Sequence, residues 1–421
     1  MTAESSFHLR SETDPATPGV EVLTWPTDPG HNDAMKTDLG WNLNPLPAAS
    51  PAAADLVHLA AGAYMSDRLA RRGTYFRRDI HLRFNVIDPT PWTPTVLDLA
   101  ADLLEWLTGD SWTLEALPAK KQPPLPDAFP VQTTQPVSLL SGGLDSFLGA
   151  IHALNAGTKP SFVGHKDSST AVRQAQDATH RWLVDSFGST SYTRVALTQT
   201  AHRREPSTRS RAFLFMSLGA ACAVSSSSTK LVIAENGYTS INLPLRANRG
   251  GALSTRSTHP RTFALVSELF SELGLDVTIE NPFEWMTKGE AMKAVGPTAP
   301  DGWLTAAGHT VSCGKLGGNF FGGSPNLNCG LCVPCLVRRG TFIAAGHSDP
   351  TAYLFNQLTG TDRDKLLAAR RGDIEAVRAA SAAGVDTAAI DAATWPRGFD
   401  LDRAEDLVGR GLAELGAVPL P

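Results

Sequence analysis

A chain of 421 residues, 42% hydrophobic and 19% charged, has the composition of a soluble globular protein and is long enough for two or three domains. Its formal net charge of −5 argues against a protein that binds nucleic acid through its overall field, and no direct nucleic-acid contact is expected. No apolar run approaches a membrane span, and the first residues lack the basic and apolar segments of a secretory signal, so we expect a cytoplasmic protein without membrane contact.

Residues 1–130 are predicted to form an N-terminal accessory domain of α/β or α+β type. The first 50 residues are rich in Pro, Asp, Thr and Ala, which predicts an irregular, loosely held start. The predicted elements that follow are helices 52–71 and 96–107 and a pair of strands, 75–87 and 112–117. No catalytic motif occurs here, so we expect a scaffold or a docking site for a partner. A proline-rich connection, 118–134, marks the boundary.

The stretch PVSLLSGGLDS, residues 136–146, contains the strongest functional motif. An apolar run predicts a buried strand, a Ser/Gly loop follows, and a helical pattern ends at Gly157. Two glycines let a backbone approach an anion, and the helix N-terminus supplies N–H groups and partial positive charge. The loop therefore predicts a phosphate site in which Asp145 orients a hydroxyl or helps to hold Mg²⁺. The alternative is an ordinary glycine turn at a helix start. No GxxxxGK[ST] occurs here, so this is not a Walker A loop.

From residue 136 onward strands and helices alternate, which predicts a doubly wound parallel sheet. The predicted strands are 137–140, 161–164, 191–197, 230–234 and 276–279. The predicted helices are 145–156, 169–187, 208–224, 262–273 and 288–295. In such a sheet the ligand lies at the carboxyl ends of the strands, where the 141–146 loop is placed.

Polar residues at the predicted element ends are candidate ligand contacts. Glu235 and Asn236 directly follow an apolar strand, although an ordinary Asn-Gly turn explains them equally simply. Arg209 and Arg211 precede an apolar helix and can hold phosphate bidentately; the alternative is a solvated helix start. Lys288 begins a further helix, where it reaches a phosphate or is merely exposed.

The segment 242–261 is polar, glycine-bearing and basic within an acidic protein, which predicts a substrate lid for an anionic ligand. The alternative is a disordered surface loop. Its basic residues are Arg246, Arg249, Arg256, His259 and Arg261.

Four of the five cysteines have the spacing C-x15-C-G-L-C-V-P-C, which predicts a closed, structural zinc site. These ligands are Cys313, Cys329, Cys332 and Cys335. The alternative is a set of buried free thiols or a redox dithiol. The fifth cysteine, Cys222, lies in an Ala-rich helical pattern and is predicted to be a core residue. Residues 346–421 are predicted to be a helical appendage that packs on the core or on a partner.

The 141–146 loop, the sequence TKGE at 287–290 and the four cysteines, in this order, resemble the QueC family of 7-cyano-7-deazaguanine synthases. The resemblance covers roughly 136–345 and implies an N-type ATP pyrophosphatase fold for a central domain, 131–345. The segments IAENGYTSINLPL and STRSTHP resemble the QueC-like proteins of bacterial anti-phage systems, in particular the Qat system. Biosynthetic synthases are much shorter, and the gap between the first and second zinc cysteines is longer here, which predicts an altered lid.

The resemblance implies that ATP adenylates the carboxylate of 7-carboxy-7-deazaguanine, that pyrophosphate leaves, and that an amine attacks the acyl-adenylate. The amine is ammonia or the N-terminus of a partner protein encoded nearby, and the additional domains favour the protein. The residues that the resemblance assigns to ATP are Ser141, Gly142, Gly143, Leu144, Asp145, Ser146 and Arg211. The residues expected to be catalytic are Asp145, Ser146 and Lys288.

The deazaguanine pocket is assigned by placement alone. The residues chosen are Glu235, Asn236 and His259. A carboxylate suits a guanine-like edge because its two acceptor oxygens match the N1–H and N2–H₂ donors.

Two other functions stay open. One is a different adenylating enzyme of the same fold, such as a tRNA thiolase or an amidotransferase synthetase. A thiolase would need a catalytic cysteine for sulfur transfer, and only Cys222 lies outside the zinc set. The other is a degenerate domain that binds a nucleotide or a guanine-like base as a sensor or scaffold. The complete phosphate loop argues against degeneracy.

Overall fold

The structure is a computed structural model. The residues that it describes are 3–28, 30–31, 35–46, 49–73, 76–120, 135–166, 169–200, 204–206, 209–245 and 255–421.

The N-terminal region contains a four-stranded parallel sheet in the order β2-β1-β5-β6. The elements of this region are β1 (Ala3–Ser11), β2 (Glu21–Trp25), β3 (Gly30–His31), β4 (Met35–Thr37), α1 (Pro51–Leu69), β5 (Arg78–Val86), α2 (Pro94–Thr108) and β6 (Ser111–Pro118). The short strands β3 and β4 belong to the second sheet. The predicted helices and the predicted pairing of the 75–87 strand with the 112–117 strand are confirmed.

The prediction that the first 50 residues are irregular and loosely held is wrong. β1 lies inside the sheet between β2 and β5, and Trp25 and Trp41 are fully buried. The Trp25 indole N–H donates to the Leu39 carbonyl at 2.9 Å. Proline and aspartate lower strand propensity locally, but burial of these large aromatic side chains outweighs that preference.

The second sheet has seven strands in the order β11-β10-β7-β8-β9-β4-β3. The elements from residue 137 to 295 are β7 (Val137–Leu139), α3 (Leu144–Asn155), β8 (Ser161–Lys166), α4 (Thr170–Phe187), β9 (Tyr192–Gln199), α5 (Arg211–Ser225), β10 (Lys230–Val232), α6 (Gly237–Ile241), α7 (Pro260–Glu272), β11 (Thr278–Glu280) and α8 (Lys288–Val295). All five predicted strands and five predicted helices are confirmed, and the short α6 is additional. The five strands β7 to β11 are mutually parallel, whereas β4 pairs antiparallel with β9.

The strand order reverses next to β7, because β8 and β9 follow on one side while β10 and β11 lie on the other. Val137 of β7 is in register with both Ser161 of β8 and Leu231 of β10. In an open parallel sheet, such a reversal leaves a crevice at the carboxyl ends of the two strands, and ligands bind there.

Helices cover both faces of this sheet in two separate apolar cores. One core includes residues of α5 and α7 and continues into the N-terminal region, from Phe7 and Leu56 to Phe213 and Phe270. The other includes residues of α3, α4 and α8. The division near residue 130 stays a prediction; the two regions share the first core.

Six helices complete the chain. They are α9 (Trp303–Gly308), α10 (Val333–Ala344), α11 (Leu354–Gln357), α12 (Gly360–Ala383), α13 (Thr387–Asp391) and α14 (Leu401–Gly416). α14 packs against α10, α12 and α6. Its Gly411 lies so close to Tyr238 of α6 that an added Cβ would fall 2.2 Å from the ring. The C-terminal helices therefore lie directly beside the segment that follows β10. In the described part of the chain no helix combines the length and the apolarity that crossing a membrane requires.

Candidate functional site

The loop between β7 and α3 is held by its own serine side chains. The hydroxyls of Ser141 and Ser146 lie 3.1 Å apart. The Gly143 N–H donates to the Ser141 hydroxyl at 3.3 Å, and the Ser146 hydroxyl donates to the Gly143 carbonyl at 3.1 Å. Gly142 has φ +86°, and an added Cβ there would lie 3.1 Å from the Gln176 side chain. A side chain would be strained at this position by both the conformation and the crowding.

The first turn of α3 has the properties of an anion site. Gly143 is its N-cap residue and, because it has no side chain, supplies no side-chain cap hydrogen bond to the first turn. The first N–H groups of a helix have no intrahelical acceptor, and the helix dipole makes this end partially positive. The loop and the helix start are thus suited to a phosphate group.

Asp145 and Lys288 form a buried ion pair at this helix start. The Lys288 Nζ atom lies 2.8 Å from Asp145 Oδ2, and each side chain is 9% exposed. The Asn236 amide donates to both carboxylate oxygens at 3.2 and 3.3 Å. Asn236 is itself fixed as the N-cap of α6, where its Oδ1 accepts from the Thr239 N–H at 3.0 Å. Side chains from two other segments of the chain therefore fix the Asp145 carboxylate.

Glu235 lies beside this pair at the end of β10. The Asn281 side chain makes two hydrogen bonds to the Glu235 backbone. Its amide oxygen accepts from the Glu235 N–H at 3.1 Å, and its amide nitrogen donates to the Glu235 carbonyl at 2.8 Å. Burial, to which the Asp145 carboxylate adds, raises the pKa of Glu235 to about 8, while the Lys288 cation opposes the shift. The carboxyl groups of Asp145 and Glu235 therefore lie at the same cavity.

These groups line a cavity of about 270 Å³. One side of its lining consists of Ser141, Gly143, Leu144, Asp145, Ser146, Glu235 and Lys288. The other side is lined by two residues that precede Cys313 and by three residues of α10. These are Val311, Ser312, Val333, Pro334 and Val337. The cavity opens where the strand order reverses. We name it the catalytic cavity after the role that is proposed for it below.

The four cysteines come together as predicted, and they can hold a metal such as zinc. Their sulfur atoms all lie within 4.8 Å of one another. The Cys313 and Cys332 sulfurs are 3.8 Å apart, and those of Cys329 and Cys335 are 3.9 Å apart. A tetrahedron with Zn–S bonds of about 2.3 Å has sulfur–sulfur edges of roughly 3.8 Å, so the donor set and its spacing fit zinc. Four thiolates leave no open position, which makes such a metal structural.

This cluster is joined to the 141–146 loop through the backbone. The Val311 N–H donates to the Gly142 carbonyl at 2.9 Å. Asn328 Oδ1 accepts from the N–H groups of Ser312 and Cys313, both at 3.0 Å. Cys332 is the N-cap of α10, whose first turn lines the catalytic cavity. A metal at the cluster would therefore fix the far wall of the cavity.

Arg211 and His259 do not line the catalytic cavity. The Arg211 guanidinium lies over the Phe215 ring, 5.0 Å from its centroid. His259 is stacked on Trp395, with centroids 4.9 Å apart, and meets the edge of Trp106. Burial, with Arg256 and Arg261 nearby, lowers the pKa of His259 to about 3, so it is neutral. Asn236 is fully buried against Asp145. Of the three residues assigned to the deazaguanine pocket, only Glu235 lines the cavity.

Residues 246–254 of the predicted lid, which include Arg246 and Arg249, lie outside the described residues. Its described ends meet, because the Asn242 amide donates to the Thr255 carbonyl at 2.6 Å. Asn242 and Thr255 both line the catalytic cavity. The fifth cysteine, Cys222, is buried, and burial raises its pKa to about 12, so no reactive thiolate forms there.

Two residues that contribute to the site are not among the predicted site residues. Asn281 clamps the Glu235 backbone, and its position directly after β11 was the available signal. Glu414 of α14 accepts hydrogen bonds from the Thr287 hydroxyl and, at 3.1 Å, from the Gly289 N–H at the start of α8. Nothing in the sequence near Glu414 indicates a contact with a segment so far away along the chain.

Comparison with known proteins gives no family for this chain. No protein-family model matches the sequence. The curated proteins contain no match either.

Proposed function

We propose that this protein is an ATP-dependent adenylating enzyme of the QueC type that acts on the carboxylate of 7-carboxy-7-deazaguanine. One observation carries the proposal: the Ser-Gly-Gly loop, the first turn of α3 with Asp145, and Lys288 line one cavity at the strand-order reversal. Phosphate loops of this geometry bind the charged part of a nucleotide. The identity of the base rests on the resemblance of 141–146, 287–290 and the four cysteines.

In this proposal the loop holds the pyrophosphate portion of ATP. The N–H groups at the start of α3 and the hydroxyls of Ser141 and Ser146 donate to phosphate oxygens. Lys288 adds positive charge beside the α-phosphate, where negative charge develops as the carboxylate oxygen attacks and pyrophosphate leaves. The assignment of Arg211 to ATP stays a prediction. Its guanidinium lies over the Phe215 ring and does not line the cavity.

The cavity also suits a divalent cation. Asp145 and Glu235 are two carboxyl groups in one lining, and their repulsion contributes to the raised pKa of Glu235. Mg²⁺ in nucleotide sites is held by one or two carboxylates together with substrate phosphates. When bound, it would neutralise phosphate charge, and these two side chains would hold it.

The second half of the reaction joins the activated acyl group to an amine. The amine nitrogen forms a C–N bond to the acyl carbon, the acyl C–O bond to phosphate breaks, and AMP leaves with that electron pair. The proton that the nitrogen loses passes to solvent. A role in anti-phage defence, with a partner protein as the acceptor, rests on the resemblance of 233–245 and 254–260 to proteins of those systems.

The adenylation step is tested by exchange of radiolabelled pyrophosphate into ATP, with Mg²⁺ and with or without 7-carboxy-7-deazaguanine. We expect exchange that depends on the base. Lys288→Met is expected to abolish it, and Lys293→Met, an exposed lysine on the same helix, serves as the matched control. Exchange without the base, or equal exchange in both variants, would contradict the proposal.

A further inference from the structure

The last turn of α2, in the N-terminal region, lies against the 255–262 segment, which leads into α7. The Trp106 indole N–H donates to the Thr262 hydroxyl at 2.9 Å. That hydroxyl donates to the Arg256 carbonyl at 2.5 Å, and the Arg256 guanidinium donates back to the Trp106 carbonyl at 3.0 Å. These three hydrogen bonds form a closed ring that joins two distant parts of the chain.

The Trp106 ring also attracts the positive charges of the 255–262 segment. The guanidinium carbon of Arg256 lies 3.9 Å from the ring centroid, and that of Arg261 lies 5.3 Å from it. The face of a tryptophan ring is the most favourable aromatic surface for a cation. The Arg256 guanidinium also meets the carbonyl end of α2, where the helix dipole is negative. Hydrogen bonds and charge therefore hold the segment on α2 together.

The same segment forms part of the wall of the catalytic cavity. Thr255, which directly precedes Arg256, lines the cavity beside Asn242. The Asn242 amide donates to the Thr255 carbonyl at 2.6 Å and to its hydroxyl at 3.1 Å. The Ser240 hydroxyl donates to the Thr258 hydroxyl at 3.2 Å. A shift of Arg256 away from α2 would therefore displace this part of the wall.

Thr255 lies at the end of the catalytic cavity that is farther from the 141–146 loop. Thr255 and Asn242 also line an adjoining cavity of about 480 Å³. In the described part of the chain, no residue of the 141–146 loop reaches the lining of that adjoining cavity. If the loop holds the phosphates of ATP, the wall at Thr255 faces the carboxylate substrate.

We propose that Trp106 is a positioning residue for the deazaguanine substrate. It holds Thr255 at the wall of the catalytic cavity through Arg256 and Thr262. The inference rests on the proposed function, and it gives the N-terminal region a part in the reaction as the support for the substrate side of the cavity. Trp106 does not belong to the described lining of the cavity, so it acts through the 255–262 segment.

A purely structural contribution of Trp106 is the alternative, and saturation measurements separate the two. Loss of folded protein lowers the maximal rate and leaves half-saturating concentrations unchanged. A displaced wall instead weakens the binding of the substrate that it contacts, and the half-saturating concentration of that substrate rises.

The test compares Trp106→Phe with Trp112→Phe as the matched control. Trp112 lies in β6, and its indole N–H donates to the Thr108 hydroxyl at 2.9 Å. Each variant therefore loses one indole hydrogen bond to a threonine hydroxyl, but the bond of Trp112 lies entirely within the N-terminal region. A third variant, Arg256→Met, removes the contact with Trp106 from the other side.

Two measurements are made on each protein. Exchange of radiolabelled pyrophosphate into ATP is recorded at varied 7-carboxy-7-deazaguanine and at varied Mg-ATP. Hydrogen–deuterium exchange of the backbone amides of 255–262 is followed by mass spectrometry without any ligand, so this second measurement does not depend on the reaction.

We expect Trp106→Phe to raise the half-saturating concentration of the base by about fivefold, the effect of one hydrogen bond. The value for Mg-ATP should stay within about twofold, because the 141–146 loop is untouched. The amides of 255–262 should exchange faster. Arg256→Met should give the same pattern, and it replaces Trp106→Phe if that variant does not fold. Trp112→Phe should leave both half-saturating concentrations and the amide exchange of 255–262 unchanged.

Three results overturn the inference: an unchanged half-saturating concentration of the base in Trp106→Phe, an equal rise for Mg-ATP, or the same changes in Trp112→Phe. Absence of base-dependent pyrophosphate exchange in the unmodified protein is a different result, and it contradicts the proposed function. The amide exchange then still shows whether Trp106 holds the 255–262 segment.

Discussion

The Lys288 ammonium group lies 2.8 Å from the Asp145 carboxylate, and this pair joins the start of α8 to the start of α3 inside the protein. Both side chains lie at the catalytic cavity, and the Asn236 amide completes the hydrogen bonds of the carboxylate. A buried charge that loses its partner is costly, so removal of either side chain should destabilise the folded protein.

Lys288→Met is therefore expected to destabilise the protein by about 3 kcal/mol, because the buried Asp145 carboxyl group would lose its cationic partner. Urea denaturation followed by tryptophan fluorescence measures this. The double variant Asp145→Asn with Lys288→Met should recover most of the lost stability, since it removes the unpaired charge. Equal stability of the Lys288→Met and Lys293→Met proteins would show that the ion pair contributes nothing.

Removal of the metal should affect the wall of the catalytic cavity. We expect about one zinc ion per chain by elemental analysis, and a stability loss of several kcal/mol after chelation, because the cluster fixes the 310–313 segment and the start of α10. Cys335→Ser should lose the zinc and the base-dependent exchange. Cys222→Ser, a buried cysteine outside the cluster, should keep the zinc. Full zinc content in Cys335→Ser would contradict the four-thiolate site.

Glu235 should make stability depend on pH. Its folded-state pKa of about 8 lies above the usual value of 4.5, so between these values the folded protein keeps a proton that the unfolded chain has lost. The stability of the unmodified protein therefore falls as pH rises through this window. Glu235→Gln removes the effect, and its stability relative to the unmodified protein should rise by on the order of 4 kcal/mol between pH of about 5 and about 9.

The control for this measurement is Glu284→Gln, an exposed carboxyl group near the same segment. Its stability difference from the unmodified protein should stay constant across the same pH series. A constant difference for Glu235→Gln as well would mean that Glu235 ionises normally in the folded protein.

Glu414 should couple the C-terminal helices to the site. Glu414→Ala removes the acceptor for the Gly289 N–H and the Thr287 hydroxyl, at an expected cost of about 1–3 kcal/mol. The start of α8 carries Lys288, so base-dependent exchange should fall as well, while zinc content stays unchanged. Glu405→Ala, an exposed position on α14, should have neither effect. Normal exchange in Glu414→Ala would show that α8 is positioned without α14.

The alternating sheet and the two clusters of site residues were predictable because their signals are local. Apolar runs of strand length and capped helical patterns recur along 136–295, and the four cysteines lie within one short window. The capping box of Thr287 and Glu290 is present, and it places Lys288 in the first turn of α8.

The remaining features depend on contacts between distant segments. β1 and β2 have weak local strand patterns and form because their side chains pack under α1 with Trp25 and Trp41. Asn236 was assigned to a ligand from its place after β10, yet its amide is used by Asp145. His259 was assigned from a polar loop, yet it packs between Trp106 and Trp395 from opposite ends of the chain. Sequence spacing does not encode such pairings.

Adenylation of a deazaguanine carboxylate releases pyrophosphate, so pyrophosphate release is the decisive measurement for the proposed function. The purified protein is incubated with Mg-ATP and 7-carboxy-7-deazaguanine, pyrophosphate is quantified, and mass spectrometry follows the base and any added amine acceptor. We expect pyrophosphate release that requires the base and is lost in the Asp145→Ala, Ser146→Ala double variant. Pyrophosphate release that ignores the base, or none with any acceptor from a protein that contains zinc and is folded, would contradict it.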